Sequence, residues 1–237
     1  MAIDSVIFGF GFRARSGKDS AVAEIIKQRG LLPETSTYNI FKNHQERYDI
    51  RRYAFADALK REVNAEAVKA GGMENLFRPN YCFPKNGYVV TLPEWVKYDP
   101  NPDMTDPECP YGKQRALLQW FGSEYKRVDD DQYWVRQLAQ QIELEKPAIA
   151  CITDMRFENE MQFVMQYGET VRVDRDSLAP ATHVSETALQ DVSDEDWSII
   201  LENNGTLEEF LVGAVTAFDE LLLNFPQQRN ARQALGV

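Results

Sequence analysis

The sequence predicts a three-layer α/β/α protein with a central parallel sheet of about five strands and one inserted segment rich in proline and aromatic residues. Three observations predict it. Short apolar runs alternate with stretches whose apolar residues recur at helical spacing, the order expected of a parallel sheet with helices on both faces. A chain of 237 residues can bury one sizeable core. Hydrophobic content of 43% and charged content of 27% are ordinary for a water-soluble globular chain, and no apolar run approaches the ~20 residues of a membrane-spanning helix.

The elements follow in order. Ser5–Phe10 is short and continuously apolar, as a strand buried on both faces should be. After a glycine-bearing loop, Val22, Ile25 and Ile26 predict a helix that Gly30 stops. "RRYAFA" (Arg51–Ala56) is β-like and leads into a helix, "DALKREVNAEAVKA", ended by Gly71-Gly72. Seven of the 11 prolines fall between 71 and 113, which excludes a long regular element there. Phe77, Tyr81, Phe83, Tyr88, Trp95, Tyr98 and Tyr111 make the same stretch too aromatic for a disordered linker. It is expected to be an ordered insertion or lid packed on a single domain spanning 1–237.

Leu117, Leu118, Phe121 and Tyr125 mark the next helix; Trp134, Val135, Leu138 and Ile142 mark another. Pro147 precedes a second apolar strand, Ala148–Thr153. Phe157, Met161, Val164 and Met165 predict a helix closed by Gly168, after which "TVRVD" alternates like a strand. "WSIIL" is the last short strand. Thr206 and Glu209 then form a capping box for a helix presenting Leu207, Phe210, Leu211, Ala214, Val215, Phe218 and Leu222 on one face.

Charge and cysteine content narrow the chemistry. A net charge of −11 disfavours binding to nucleic-acid polymers, whose phosphates want a basic face, but leaves room for a small anion held by a few local arginines. Cys82, Cys109 and Cys151 are odd in number and lack metal-site spacing, so they are expected to be reduced thiols in a cytoplasmic protein; the N-terminus also lacks a signal-peptide pattern.

The loop itself, "GFRARSGKDS" (11–20), nearly spells the phosphate-binding pattern G-x-x-x-x-G-K-[ST]. Its context is right: a buried strand before, an amphipathic helix after. Amide groups at the helix start and the helix dipole attract phosphate. Lys18 adds a full charge, and Gly17 allows close backbone approach. Ser20, or Asp19 beside it, would help hold Mg²⁺, with Asp154 at the end of the second apolar strand orienting it through water. Phe12 stands where the first glycine should be. A bulky residue avoids positive φ, so Gly11 is expected to make the turn instead. Phosphoryl transfer further needs cations around the moving group, and Arg115, Arg127, Arg136, Arg156, Arg172 and Arg175 lie at predicted element ends. A lone histidine is more often structural than catalytic, which is the expectation for His183 and more firmly for His44.

Eight segments in this order, "RSGKDS", "FADALK", "RALLQWFGSE", "DQYWV", "ITDMRFENEM", "VRVDR", "THVSETAL" and "NNGTLEEF", resemble the bacteriophage deoxynucleoside monophosphate kinases of the P-loop nucleoside-phosphate kinase superfamily. The resemblance implies the P-loop kinase fold, ATP and Mg²⁺ as cofactors, and transfer of the γ-phosphate to a dNMP for DNA precursor synthesis. It places ATP on Arg13, Arg15, Ser16, Gly17, Lys18, Asp19, Ser20 and Arg175. It puts the acceptor near Phe55, Lys60, Arg115, Trp134 and Arg156; together with Arg136 and Asp154, singled out above by their places at element ends, Lys18, Arg115 and Arg156 are the expected catalytic residues at the transfer. Asp57 stands where some relatives have glycine and receives no role. The alternatives are a kinase of another small phosphorylated acceptor (dephospho-coenzyme A or phosphomevalonate), of hydroxymethyluracil in phage DNA, or an ATP-binding switch that transfers nothing. A small-molecule substrate, no membrane, no stable nucleic-acid complex and an optional homodimer complete the expectation.

Overall fold

A computed structural model describes residues 3–31, 47–177 and 183–235, with side chains described as far as 225 in the last helix. In chain order the elements are β1 (Val6–Gly11), α1 (Lys18–Arg29), β2 (Ile50–Tyr53), α2 (Phe55–Ala70), β3 (Phe83–Lys85), β4 (Tyr88–Val90), α3 (Arg115–Gln119), α4 (Tyr133–Glu145), β5 (Ile149–Met155), α5 (Glu158–Tyr167), β6 (Gly168–Asp174), α6 (Val184–Thr187), β7 (Ile199–Glu202) and α7 (Leu207–Leu235). They form two compact units, 1–54 with 138–237, and 55–137.

The first unit holds a five-stranded sheet in the order β2-β5-β1-β6-β7. Every pairing in it is parallel. Central β1 is buried almost throughout, and its residues divide between two helical layers. Phe8 and Phe10 pack with Ala21, Val22 and Ile25 of α1 and with Phe210, Ala214 and Phe218 of α7. The Phe8 and Phe218 rings lie 4.9 Å apart. Each such ring contributes roughly 1.5–3 kcal/mol by leaving water. The opposite face is so closely covered by α5 that a side chain at Gly9 would meet Val164 at 2.6 Å. This is the three-layer arrangement expected.

Several local expectations shift. The β-like patch ends at Tyr53, and Phe55 and Ala56 already belong to α2. Gly168 does not merely end α5; it opens β6, and "TVRVD" is largely buried on both faces because α5 and α7 flank it. Met165 and Leu207 are exposed rather than core residues. The capping box holds: Thr206 N–H donates to Glu209 Oε2 at 2.8 Å, and Glu209 N–H returns to Thr206 Oγ1 at 3.2 Å.

In the second unit, the stretch from 71 to 113 contains a short 3₁₀ turn (Met73–Phe77) and the antiparallel hairpin β3–β4. Asn86 and Gly87 turn the hairpin with positive φ at both positions, the requirement of a tight two-residue turn. Phe83 is fully buried, ringed by Tyr81, Trp120, Phe121 and Tyr125. After α3 the chain continues as a π-type helix, Trp120–Arg127. Cys82 is exposed, while Cys109 and Cys151 are buried and all three are free thiols. No helix among the described residues is long and apolar enough to cross a membrane.

Candidate functional site

Because every strand of the sheet is parallel, the carboxyl ends of β1, β5, β6 and β7 share one edge. The loop 12–17 leaves that edge and enters α1 at Lys18. Three residues in it have positive φ: Phe12 at 88°, Arg15 at 62° and Gly17 at 113°. Repeated left-handed turns aim successive amide groups into a common concavity, a form suited to anions.

Phe12 therefore corrects the expectation. It makes the left-handed turn itself, at a cost of about 1–2 kcal/mol for a residue with a side chain. Gly11 remains in the strand, paired with Met155 and Arg172. Its lack of a side chain serves packing instead, since a Cβ there would meet Met155 at 2.7 Å and the Trp197 ring at 2.8 Å.

Lys18 is buried, and its ammonium folds back over the loop to donate to the Arg13 carbonyl and, at 3.2 Å, to Ser16 Oγ. Its pKa falls from 10.5 to about 8. Burial is the chief cause and nearby Arg156 adds to it, while Asp19, Asp154 and Glu186 oppose. A cation held out of water beside another cation is poised to gain from an incoming polyanion.

Asp154 is the penultimate residue of β5. Arg156 follows the strand, its main-chain N–H fixed by Glu160 Oε2 at 2.7 Å. Its guanidinium donates to the Ser185 carbonyl at 3.3 Å and pairs with Glu186 at 3.6 Å. Asp19 and Ser20 are exposed in the first turn of α1, with Arg52 reaching Asp19 at 3.4 Å. Among the described residues no group of three or more His, Cys, Asp or Glu side chains forms a metal cage. One hydroxyl and scattered carboxylates instead suit Mg²⁺, which keeps several waters and takes other ligands from phosphates.

Arg175 follows β6 and, with Gly17, Ser20, Asn203, Gly205 and Phe210, lines a pocket of about 430 Å³ next to the loop. Asn203 went unforeseen as a site residue, since "NNG" reads simply as a turn. It ties the site together: its Nδ2 donates to the Ser16 carbonyl at 2.6 Å, and its main-chain N–H to the Asp174 carbonyl at 2.7 Å. Arg172, foreseen only as one of several arginines, forms a fork with Asp174 through two bonds of 2.8 Å and also pairs with Asp194.

Arg115, Phe55, Lys60, Trp134 and Arg136 stand in the second unit. Arg115 is exposed at the first position of α3. Phe55 opens α2 and is buried. Lys60 is buried between Asp57, at 3.2 Å, and Asp106, at 3.1 Å. Trp134 is 2% exposed, with its indole N–H donated to the Gly122 carbonyl at 3.1 Å. Arg136 is engaged with Asp130. His183 accepts from Ser185 N–H at 3.2 Å and so caps α6, the structural role expected. His44 lies outside the described residues.

No protein-family model matches the chain. A protein of Acanthamoeba polyphaga mimivirus named "Putative deoxynucleotide monophosphate kinase" is 34% identical over 123 residues, which cover 44% of this chain; the match spans 61% of the viral protein's length. Among solved structures, dephospho-CoA kinase from Campylobacter jejuni aligns with a TM-score of 0.43 and 12% identity over 90% of this chain and 96% of its own. A Thermus thermophilus protein gives 0.41 and 17% over 92% and 98%.

Proposed function

We propose that this chain is an ATP-dependent kinase that transfers the γ-phosphate to a deoxynucleoside monophosphate, giving the diphosphate and ADP. The observation that carries the reading is Lys18, buried at a strand-to-helix junction and folded over a loop of left-handed turns. The mimivirus relative's name supports the choice of acceptor.

In this scheme the loop amides and Lys18 hold the triphosphate tail, with Arg13, Arg15, Ser16 and Gly17 shaping the cradle. The adjoining pocket with Arg175 receives the nucleoside end. Mg²⁺, when bound, neutralises phosphate charge, and Ser20, Asp19 and Asp154 are the residues that would hold it directly or through water. Arg156 and Lys18 stabilise the charge that develops as an acceptor phosphate oxygen attacks the γ-phosphorus and the bond to the β-phosphate oxygen breaks. No general base is required, because the attacking phosphate is already anionic near neutral pH. Arg115, Phe55 and Lys60 are assigned to the acceptor on the resemblance of their segments, and Arg136, a cation near an element end, to the transfer. Trp134 is assigned to the acceptor beside the base on the same resemblance, with its indole N–H anchored on the Gly122 carbonyl.

The test is ADP release from Mg–ATP against a panel of deoxy- and ribonucleoside monophosphates, with dephospho-coenzyme A alongside. At least one deoxynucleoside monophosphate should raise turnover to roughly 1–100 s⁻¹, the usual kinase range. ATP hydrolysis indifferent to every nucleotide in the panel would leave no acceptor and defeat the proposal.

A further inference from the structure

Phe12 occupies a turn where glycine is the expected residue, and its φ of 88° is one that glycine adopts freely and phenylalanine does not. What holds it there is visible in the sheet. The register sets Gly11 of β1 beside Arg172 of β6, one residue before the turn. The Arg172 guanidinium carbon lies 4.5 Å from the centroid of the Phe12 ring. Arg13 approaches the same ring only to 5.8 Å. Arg172 is in turn immobilised: Nε and Nη2 each donate to Asp174 at 2.8 Å, and Nη1 donates to Asp194 in the 3₁₀ turn Asp194–Asp196. A guanidinium fixed by two carboxylates is a rigid plate, and an aromatic face stacked on it cannot swing away without losing the contact.

We propose that Phe12 and Arg172 form a positioning pair that locks the phosphate loop in its anion-binding conformation, taking the place of the missing glycine. This rests on the reading of the loop as a triphosphate site. The pair acts through the backbone: the ring pinned by Arg172 fixes the left-handed turn at 12. Arg13 follows directly, and its carbonyl is the acceptor for the Lys18 ammonium. Freeing the ring should loosen the loop and weaken polyphosphate binding, with no direct contact between Arg172 and the ligand.

The experiment is calorimetric titration of the full chain with Mg–tripolyphosphate, a probe that lacks base and sugar and so reads the loop alone. Arg172→Met should weaken binding by roughly five- to tenfold, the scale of a partly desolvated cation–π contact. In a Phe12→Gly background the same change should alter affinity by less than about twofold, because glycine keeps the turn unaided. Asp194→Asn, which removes one restraint on the guanidinium, should give a smaller loss in the same direction, again abolished by Phe12→Gly. Thermal unfolding checks that each variant folds. If Arg172→Met does not, the Asp194→Asn pair of backgrounds decides. Equal affinity in Arg172→Met and the unsubstituted chain overturns the pair alone. Equal losses with Phe12 or Gly at position 12 overturn it too, since Arg172 would then act independently of the ring. Failure of the unsubstituted chain to bind tripolyphosphate removes the phosphate assignment and the pair with it.

Discussion

Lys18→Ala should lower phosphoryl transfer by about 10³-fold, the scale of losing one full charge aimed at a transferring phosphoryl group. The fold should not suffer in proportion, because this lysine is a net burden to it. Its ammonium is buried, and burial is the largest influence on its pKa, which drops from 10.5 to about 8. The sign follows from proton binding. Below pH 8 the lysine is protonated in both states, and the folded state bears the whole cost of hiding the charge. Between pH 8 and 10.5 the folded state releases the proton while the unfolded chain keeps it, so stability rises with pH by up to about 3 kcal/mol across that window. Lys18→Met should therefore be at least as stable as the unsubstituted chain at pH 7 and lose that standing by pH 10. Urea unfolding at the two pH values reads this directly. The unsubstituted enzyme's kcat/KM for ATP should also fall above about pH 8, as the free site loses the proton that a bound polyphosphate needs. A Lys18→Ala variant with near-normal turnover would remove the whole scheme.

Gly17→Ala is the second large effect. Gly17 has φ of 113°, and a Cβ there would lie 2.6 Å from Asn203 Nδ2 and 3.0 Å from the Phe210 ring. Neither neighbour can give way cheaply. Asn203 Nδ2 holds the Ser16 carbonyl, and Phe210 belongs to the core beneath α7. Backbone strain and overpacking together should destabilise the protein by about 2–4 kcal/mol. Mg–ATP affinity should fall by more than about tenfold, since a loop displaced by a few tenths of an ångström misaims its amides. Gly213→Ala is the control. It lies in α7 with nothing within 4 Å of the added carbon, so helix propensity should make it stabilising by about 0.5–1 kcal/mol. If Gly17→Ala behaved like Gly213→Ala in both melting and titration, the tight-loop account would be wrong.

The features legible in the sequence were those set by local pattern. The buried strand, the glycine and lysine of the loop, and the Thr206–Glu209 capping box each depend on residues a few positions apart, and each stands where it was expected. What escaped depends on distant partners. Nothing near Phe12 says that it will turn left-handed; the cause is Arg172, which only the sheet register brings alongside. Asn203 looks like a turn residue until β7 sets it against Ser16. The Trp134 indole N–H finds its acceptor in the Gly122 carbonyl, a partner no spacing reveals. The β3–β4 hairpin is a different kind of miss. Asn86-Gly87 is a strong turn signal, set between strands of only three residues in a proline-rich stretch.

The place of β1 in the middle of the sheet has a consequence for how the chain is made. It precedes every other described strand in the chain, yet its neighbours are β5 and β6, with Val6 set against Ile149 and Ile7 against Gly168. A nascent chain must carry this apolar segment unpaired while the whole of 55–137 is translated. Such distant pairing is slow and leaves sticky strand edges open to aggregation or to capture by chaperones. On arrested ribosomes, protease resistance of residues 3–30 should appear only after Asp174 has emerged. Resistance before Ile149 is made would mean that the strand finds shelter elsewhere.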